Sequence, residues 1–568
     1  MSPRVIAGLN AAGFNTSAAL LVDGELVYAV EEERLNREKR TRKFPAQGLL
    51  SALKHAGLQI EDVDAFAFSW NPAINLEAPN AALTQRARFL GEFLYSVPMQ
   101  LMALRRNNEA ALTRQTITFL DGRELDAFFI THHLCHASAF FVSPFEEAAI
   151  LSVDAFGEKH CVMFSKGSGH NLESLWSQDF PHSLGSFYSS MTQYLGFAPQ
   201  YDEWKLMGAS SYGDPRRFDG KLRELFQLKD DAGFEVDLSY FNYHQFHRPG
   251  LYTAKLREHL GLAPNETDCP LTQEYYDLAA GVQLVTEEIY FHLLRQLHRK
   301  TGLKHAVLSG GVALNCVANG KVTTNTPFEE IFVPPTPDDS GGSAGAAFYL
   351  YHHIGGRPRK FALSHNFLGP GFSGEDILRE LQKFGIRYTA LNDPAAKGAE
   401  LIAGGKIIGW FQGRLEFGDR ALGNRSILAD PCDPQMKDRV NLVIKYREPF
   451  RPFAPAILEE HVDDYFIGAT STPFMEKVFL IRPEKRASIP AVTHVDGTGR
   501  LQTVGDQQNP LFARLIRSFN AIRGVPIVLN TSFNLKGEPM VCSPQDALRT
   551  FYTSGLDALI IGDYLVEK

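Results

Sequence analysis

VIAGLNAAGFNTSAALLVDGELVYAV (residues 5–30) and AAILSVDAFGEKHCVMFSKGSGHNLESLW (residues 148–176) share one layout, and that repetition decides the fold. In the first, Val5–Leu9 is a short apolar strand and AAGFNTS a small polar loop. Ala18–Val22 and Leu26–Val30 then form a hairpin about Asp23–Gly24, a dipeptide suited to a tight turn with positive φ. In the second, Ala148–Val153 is the strand, DAFGEKH the loop and Cys161–Phe164 the next strand. KGSG supplies the turn and LESLW a third strand-like run. Two copies of strand–loop–strand–turn–strand, about 140 residues apart, predict an internal duplication. Val5–Val22 carries no charge and follows Arg4, so it mimics a secretory leader. Asn10, Asn15, Thr16 and Ser17 interrupt the apolar run, and strand, loop, strand is the better reading.

A duplicated α/β unit of this kind is the architecture of the actin and sugar-kinase class, in which two related lobes hold a nucleotide. Two later stretches fit that use. HAVLSGGVALNCVANG places Gly310, Gly311 and Asn315 after a strand, and IFVPPTPDDSGGSAGAAFYLYHHI sets an acidic Gly-rich loop before an apolar helix. Such loops let backbone N–H groups approach phosphate, although Gly–Gly turns also serve plain helix–strand packing. Residues 354–373 are rich in Gly and Pro without periodicity and are the expected linker, dividing the chain into 1–357 and 358–568. Beyond it, EDILRELQKFG, AAKGAELIAGG and PQDALRTFYTSG predict helices, and GKIIGWFQ and VPIVLN predict strands.

At 568 residues the chain is too long for one ordinary core, and 44% hydrophobic with 21% charged residues is the composition of a globular protein. No stretch reads as a membrane span. Six cysteines lie scattered without a CxxC pair, which argues against a disulfide framework or thiolate zinc site and points to the cytoplasm. The net charge is −8, yet residues 405–455 gather Arg414, Arg420, Arg425, Arg439, Lys445, Arg447 and Arg451. A local basic cluster on an acidic chain is poor footing for nucleic acid, which needs an extended positive face. It suits a compact, multiply charged anion such as a nucleotide or carbamoyl phosphate. The competing reading is a solvated, salt-bridged surface, since Glu416, Asp419, Asp430, Asp433, Asp438 and Glu448 are interleaved.

In THHLCHASAF, His132 and His136 are four apart, so on a helix their rings share one face. That spacing fits two imidazole ligands to a metal, or histidines hydrogen-bonded in a core. Asp154 and Asp339 each end a strand, where loops of a two-lobed fold converge on a cleft. Two imidazoles and two carboxylates suit Fe²⁺, Mn²⁺ or Zn²⁺.

Read in order, these motifs resemble the NodU/CmcH-type O-carbamoyltransferases along nearly the whole chain. The matching stretches are SAALLVDGELVYAVEEER, THHLCHASAF, LSVDAFGE, LSGGVALNCVANGK, DDSGGSAGAA, QGRLEFGDRALGNRSILADP, KYREPFRPFAP and LNTSFNLKGEP. The resemblance implies a duplicated actin-like ATPase (Kae/TsaD-like) domain over 1–357 and a YrdC-like α/β domain over 358–568. It implies that ATP and carbamoyl phosphate give carbamoyl adenylate in the second domain, and that the first passes the carbamoyl group to a hydroxyl. His132, His136, Asp154 and Asp339 would hold the metal, iron(II), with Mg²⁺ serving the nucleotide. Arg420, Lys445, Arg451 and Arg500 would meet carbamoyl phosphate and the adenylate, with Arg447 beside them. Asn530, Ser532 and Asn534 would form the nucleotide loop, with Gly310, Gly311 and Asn315 as further cofactor contacts. Lys445, Arg420 and His136 are the expected catalytic groups. The expected partner is a small-molecule hydroxyl acceptor, with neither nucleic acid nor membrane, and a homodimer stays open.

Relatives carry a His-Asp pair just before SAAL as general base, where this chain has Phe14 and Asn15. Asn cannot take a proton at neutral pH, so either another group deprotonates the acceptor or the metal lowers its pKa directly; the candidate groups are His133 and His244, the latter in the aromatic run SYFNYHQFH, whose plainer reading is a hydrophobic strand. Two rivals are an actin-fold kinase or ATPase, which leaves the basic C-terminal third without purpose, and a threonylcarbamoyl-adenylate enzyme acting on tRNA, which should show a basic stripe.

Overall fold

A computed structural model describes residues 4–13, 15–71, 108–109, 112–245, 250–267, 269–448 and 450–568. The chain forms two compact units, one of residues 1–27 with 57–362 and one of residues 28–56 with 363–568. The second thus takes a segment from near the N-terminus, and the chain changes over at 362/363 where the sequence suggests 357/358.

The first unit carries two sheets with the same plan. One holds β1 (Val5–Asn10), β2 (Ser17–Val22), β3 (Glu25–Glu31), β4 (Ala65–Phe68), β5 (Asn108–Glu109), β6 (Leu112–Thr118) and β7 (Glu124–Ile130), in the order β3-β2-β1-β4-β7-β6-β5. The other contains β8 (Glu147–Val153), β9 (His160–Ser168) and β10 (Asn171–Asp179). After a separate hairpin, β11 (Phe226–Leu228) and β12 (Phe234–Val236), come β13 (His305–Ser309) and β14 (Glu330–Phe332), giving the order β10-β9-β8-β13-β14. In each sheet an antiparallel hairpin precedes two strands parallel to the first: β1 with β4 and β7 beyond it, β8 with β13 and β14 beyond it. This is the duplicated actin-like α/β plan.

Local chemistry explains the hairpins. Asp23 and Gly24 have φ of 49° and 87°, the paired positive values of the turn that matches strand twist. The second turn falls later than KGSG suggests, at Gly169–His170, because β9 runs on to Ser168. Gly167 stays in the strand: a Cβ there would lie 2.5 Å from the Phe140 ring, so the glycine makes room for an aromatic side chain rather than turning the chain.

The second unit is built on an eight-stranded mixed sheet, with β15 (Thr389–Ala390), β16 (Ile408–Phe411), β17 (Arg425–Ala429), β18 (Ala454–Leu458), β21 (Gln502–Val504), β22 (Ile527–Ser532), β23 (Ala558–Ile561) and β24 (Tyr564–Glu567) in the order β15-β24-β23-β16-β17-β22-β18-β21. A small pair, β19 (Val478–Leu480) and β20 (Thr498–Arg500), stands apart from it. Helices Pro394–Ala403 and Pro510–Arg523 pack on each other and over the sheet face that carries Trp410 and Ile560, both fully buried. Their starts are written in sequence: Asp393 and Asn509 accept the N–H groups of Ala396 and Phe512, and Pro occupies the first turn of each. Among the described residues, no helix is long and apolar enough to cross a membrane.

Candidate functional site

In the first unit, parallel strands deliver loops to one edge. Thr131 and the short helix His132–Ala137 follow β7, Asp154 follows β8, Gly310 follows β13, and Asp339 follows β14. One ligand atom from each of His132, His136, Asp154 and Asp339 lies within 4.8 Å of all the others. His136 Nε2 is 3.0 Å from Asp154 Oδ2 and 3.8 Å from Asp339 Oδ1. His132 Nε2 is 3.4 Å from each of the same two oxygens. Both imidazoles are buried, while the Asp339 side chain retains 31% exposure, so the group has one open side.

The surroundings aim these atoms. Ser69 O sits 3.2 Å from His132 Nδ1 and fixes that nitrogen as the N–H, leaving Nε2 as a lone pair toward the cluster. Ala155 N–H donates to Asp154 Oδ1 at 2.7 Å, which leaves Oδ2 turned inward. Glu158, buried, accepts the backbone N–H groups of His132 at 3.0 Å and Asn71 at 2.6 Å and so anchors the start of the histidine helix. Burial opposes charge on His132, but Asp339 and Asp154 outweigh it and hold the imidazole well above its ordinary range. Burial likewise opposes ionisation of Asp154, but hydrogen bonds to His132 and His136 hold its carboxyl well below the usual carboxylate range. Two glycines leave space here: a Cβ on Gly311 would come within 3.0 Å of Asp154 Oδ1, and one on Gly13 within 3.5 Å of Asp339 Oδ2. Two imidazoles, two carboxylates, opposed lone pairs and a hollow lined by glycine fit a divalent cation.

Gly310 is needed for the turn itself, with φ of 85° and a hypothetical Cβ only 2.2 Å from Val153 O. Asn315 spends its amide within the protein, capping Ala318 N–H at 3.1 Å and exchanging bonds with Gln283 at 3.0 and 3.1 Å. Gln283 belongs to a buried network with Tyr188, Glu287 and Lys321 that no local sequence pattern flags. Phe14 lies outside the described residues. Asn15 adopts a left-handed φ of 54° and donates from Nδ2 to Asp338 Oδ2 at 3.0 Å. His133 is fully buried and its Nε2–H donates to His160 O at 2.9 Å, which leaves Nδ1 as its lone-pair nitrogen. His244 sits in a turn rather than a strand: the run carries one isolated bridge, between Phe241 and Tyr252, and Phe246 and His247 lie outside the described residues.

In the second unit, the helical segment Met436–Val440 runs on through Asn441–Lys445, ending at Tyr446 with φ of 45°. This exit turns Lys445 inward, where it is buried. Its Nζ donates to Ser532 O at 2.5 Å, Asn534 Oδ1 at 2.9 Å, Asn534 O at 3.2 Å and Ser532 Oγ at 3.3 Å. All four acceptors are neutral. Burial pushes the ammonium well below its ordinary range, and Arg447, Lys39 and Arg451 push it further. Arg447 is set by Asn441 Oδ1 at 2.7 Å and lies 4.4 Å over the Phe453 ring, with Arg451 and Arg500 among its electrostatic neighbours. Arg451 pairs with Glu448 at 2.6 Å. Lys445, Ser532 and Asn534 are therefore in direct contact, with Arg447, Arg451 and Arg500 around them. Asn530 is not at that surface: it is buried, and its Nδ2 donates to Ala421 O and Gln502 Oε1. Arg420 stands half-buried at a loop tip beside Asp419. Lys39, from the segment 28–56, is a neighbour that sequence reading missed, because nothing in a linear pattern shows which distant helix end meets a loop.

The arrangement matches known proteins throughout. Residues 5–348 match the family model described as carbamoyltransferase N-terminus and residues 399–568 that described as carbamoyltransferase C-terminus. Nodulation protein NolNO of Sinorhizobium fredii is 39% identical over 97% of this chain and 78% of its own. Nodulation protein NolO of Bradyrhizobium diazoefficiens is 39% identical over 77% of this chain and 79% of its own. The 3'-hydroxymethylcephem-O-carbamoyltransferase of Amycolatopsis lactamdurans is 32% identical over 63% of this chain and 66% of its own. With both halves matched in order and relatives of this identity spanning them, the chain belongs to the carbamoyltransferase family and is a carbamoyltransferase enzyme.

Proposed function

We propose that this enzyme makes carbamoyl adenylate from ATP and carbamoyl phosphate in its second unit and transfers the carbamoyl group to a hydroxyl of a small molecule in its first. The observation that carries the reading is Lys445: a buried ammonium with only neutral oxygens as hydrogen-bond acceptors and three cationic neighbours, a combination a bound polyanion would offset. Carbamoyl phosphate and a nucleoside triphosphate are such polyanions. Hydrolysis of carbamoyl phosphate gives carbamate and inorganic phosphate; a carbamate oxygen then attacks the α-phosphorus of ATP, and pyrophosphate leaves. Lys445, Arg447 and Arg451 would stabilise charge as it builds on the phosphoryl oxygens. The acceptor hydroxyl then attacks the carbamoyl carbon, AMP leaves, and the hydroxyl proton passes to base or water. That a relative's name places a carbamoyl group on a hydroxymethyl substituent supports an oxygen acceptor here.

His132, His136, Asp154 and Asp339 would hold the metal, iron(II) by resemblance, with Mg²⁺ on the nucleotide. Such an ion supplies Lewis acidity that lowers the pKa of a nearby hydroxyl. The residues hold the site in shape: Ser69 and Glu158 orient the histidine helix and Ala155 orients Asp154. A cytoplasmic enzyme acting on a free small molecule, with neither nucleic acid nor membrane as partner, accords with the acidic chain. The test is to incubate the enzyme with ATP and measure pyrophosphate with and without carbamoyl phosphate. Release that requires both supports the reading; ADP formation, or no turnover, overturns it.

A further inference from the structure

The loop that carries Arg420 is tied down by a buried rack that no part of the proposed chemistry uses. Glu416, fully buried, accepts three backbone N–H groups on one carboxylate oxygen: Leu422 at 2.8 Å, Asn424 at 2.9 Å and Arg425 at 3.2 Å. Gln502 Nε2 donates to Leu422 O at 2.9 Å, and Asn530 Nδ2 donates both to Ala421 O at 3.1 Å and to Gln502 Oε1 at 2.7 Å. Gly423 is held on both sides, its N–H on Ser426 Oγ at 3.1 Å and its carbonyl accepting Trp410 Nε1–H at 2.8 Å. Its φ of 109° and a hypothetical Cβ 2.4 Å from the Phe512 ring make glycine obligatory there.

On the other side of the tip, Asn366 brackets Phe417, accepting its N–H at 2.8 Å and donating to its carbonyl at 3.1 Å. Glu31 accepts Gly418 N–H at 2.8 Å, and Arg34 donates to Gly418 O at 3.0 Å. Residues 417–418 and 421–424 are thus pinned at their backbones, and only Asp419 and Arg420 stand between. Pinning a two-residue tip this tightly removes the backbone freedom that would otherwise be lost when an anion binds.

We propose that Glu416 is a positioning residue that acts through Arg420, together with Gln502 and Asn530, by holding the 417–424 backbone so that the Arg420 guanidinium is preset for the phosphate-bearing substrate. The inference rests on the reading of Arg420 as a carbamoyl phosphate contact, and reassigns Asn530 from touching nucleotide to holding the loop that does.

The experiment measures pyrophosphate release against carbamoyl phosphate concentration for Arg420→Ala, Glu416→Ala, Glu416→Gln, Gln502→Leu and each paired with Arg420→Ala, with thermal melting of every variant. Arg420→Ala raises the half-saturating concentration about thirtyfold, as loss of a charged hydrogen bond does. Glu416→Ala raises it about tenfold, and Glu416→Gln, which keeps an acceptor oxygen, recovers to within about threefold of wild type. Joined to Arg420→Ala, neither Glu416→Ala nor Gln502→Leu adds more than about twofold, because both work through the same guanidinium. Gln502→Leu carries the test alone if Glu416→Ala does not fold. Additive penalties alongside a normal Arg420→Ala effect overturn this inference and leave the functional reading standing. An Arg420→Ala enzyme with unchanged carbamoyl phosphate dependence overturns both.

Discussion

Nε2 of His132 and Nε2 of His136 lie 3.0 Å apart, with the rings nearly perpendicular. Two imidazole nitrogens at that distance share at most one proton, and both also face carboxylate oxygens of Asp154 and Asp339. Lone pairs brought together this way are stabilised by a cation, so the spacing of one helical turn becomes a ligand set.

Glycine at 311 should be needed for loading. Gly311→Ala would place a methyl group 3.0 Å from Asp154 Oδ1 and turn the carboxylate out of the cluster. Elemental analysis of the purified variant should show metal content reduced about tenfold, as substitutions next to ligands typically do, with pyrophosphate release in the second unit unchanged.

The two half-reactions should separate by mutation. Lys445→Ala abolishes carbamoyl-phosphate-dependent pyrophosphate release, since it removes the buried ammonium, whereas His136→Ala preserves that release and abolishes carbamoylation of the acceptor, both read by phosphorus NMR with product mass spectrometry. Intact transfer by His136→Ala would refute the metal assignment.

Stability should fall in mild acid through His494. Burial drives its imidazole down to about 4, with Asp496 favouring and Arg500 opposing the charge. Its pKa is depressed on folding, so the unfolded chain binds more protons between about 4 and 6.5. The contribution is complete above 6.5 and lost as pH falls toward 4, reaching roughly 3 kcal/mol at most. Urea midpoints at pH 7 and pH 5 test this, and His494→Gln should flatten the difference.

The cap at Ser183 should matter for the loop that carries Asp154. Its Oγ accepts Ser186 N–H at 3.1 Å at the start of helix Leu184–Tyr194 and donates to Ala155 O at 2.5 Å. Ser183→Ala should cost about 1 kcal/mol, read as a lowered melting temperature.

Much of this was legible in the chain. The hairpins showed themselves because short apolar runs and a positive-φ turn pair are local properties: Asp23–Gly24 says as much alone as in the fold. His132 and His136 were legible for the same reason, four apart on one turn. Gly167 misled because its reason for being glycine is Phe140, distant in sequence. Asn530 looked like a ligand residue because it shares a strand face with Ser532, but deeper along the strand that face is covered and its amide is taken by Ala421 O and Gln502 Oε1, partners distant in sequence. Glu158 and Ser69, which aim His132, carry no mark at all, since a backbone acceptor has no residue type and an acidic loop residue is ordinary.

Residues 28–56 leave the first unit and join the second before the chain returns, with Arg37 donating to Pro539 O and Met540 O as one of the ties. No single scission can therefore release either half whole. A shortened gene beginning at 363 would lack Glu31 and Arg34, two clasps of the Arg420 loop, so the modules cannot be traded between proteins as cassettes without carrying that early piece along.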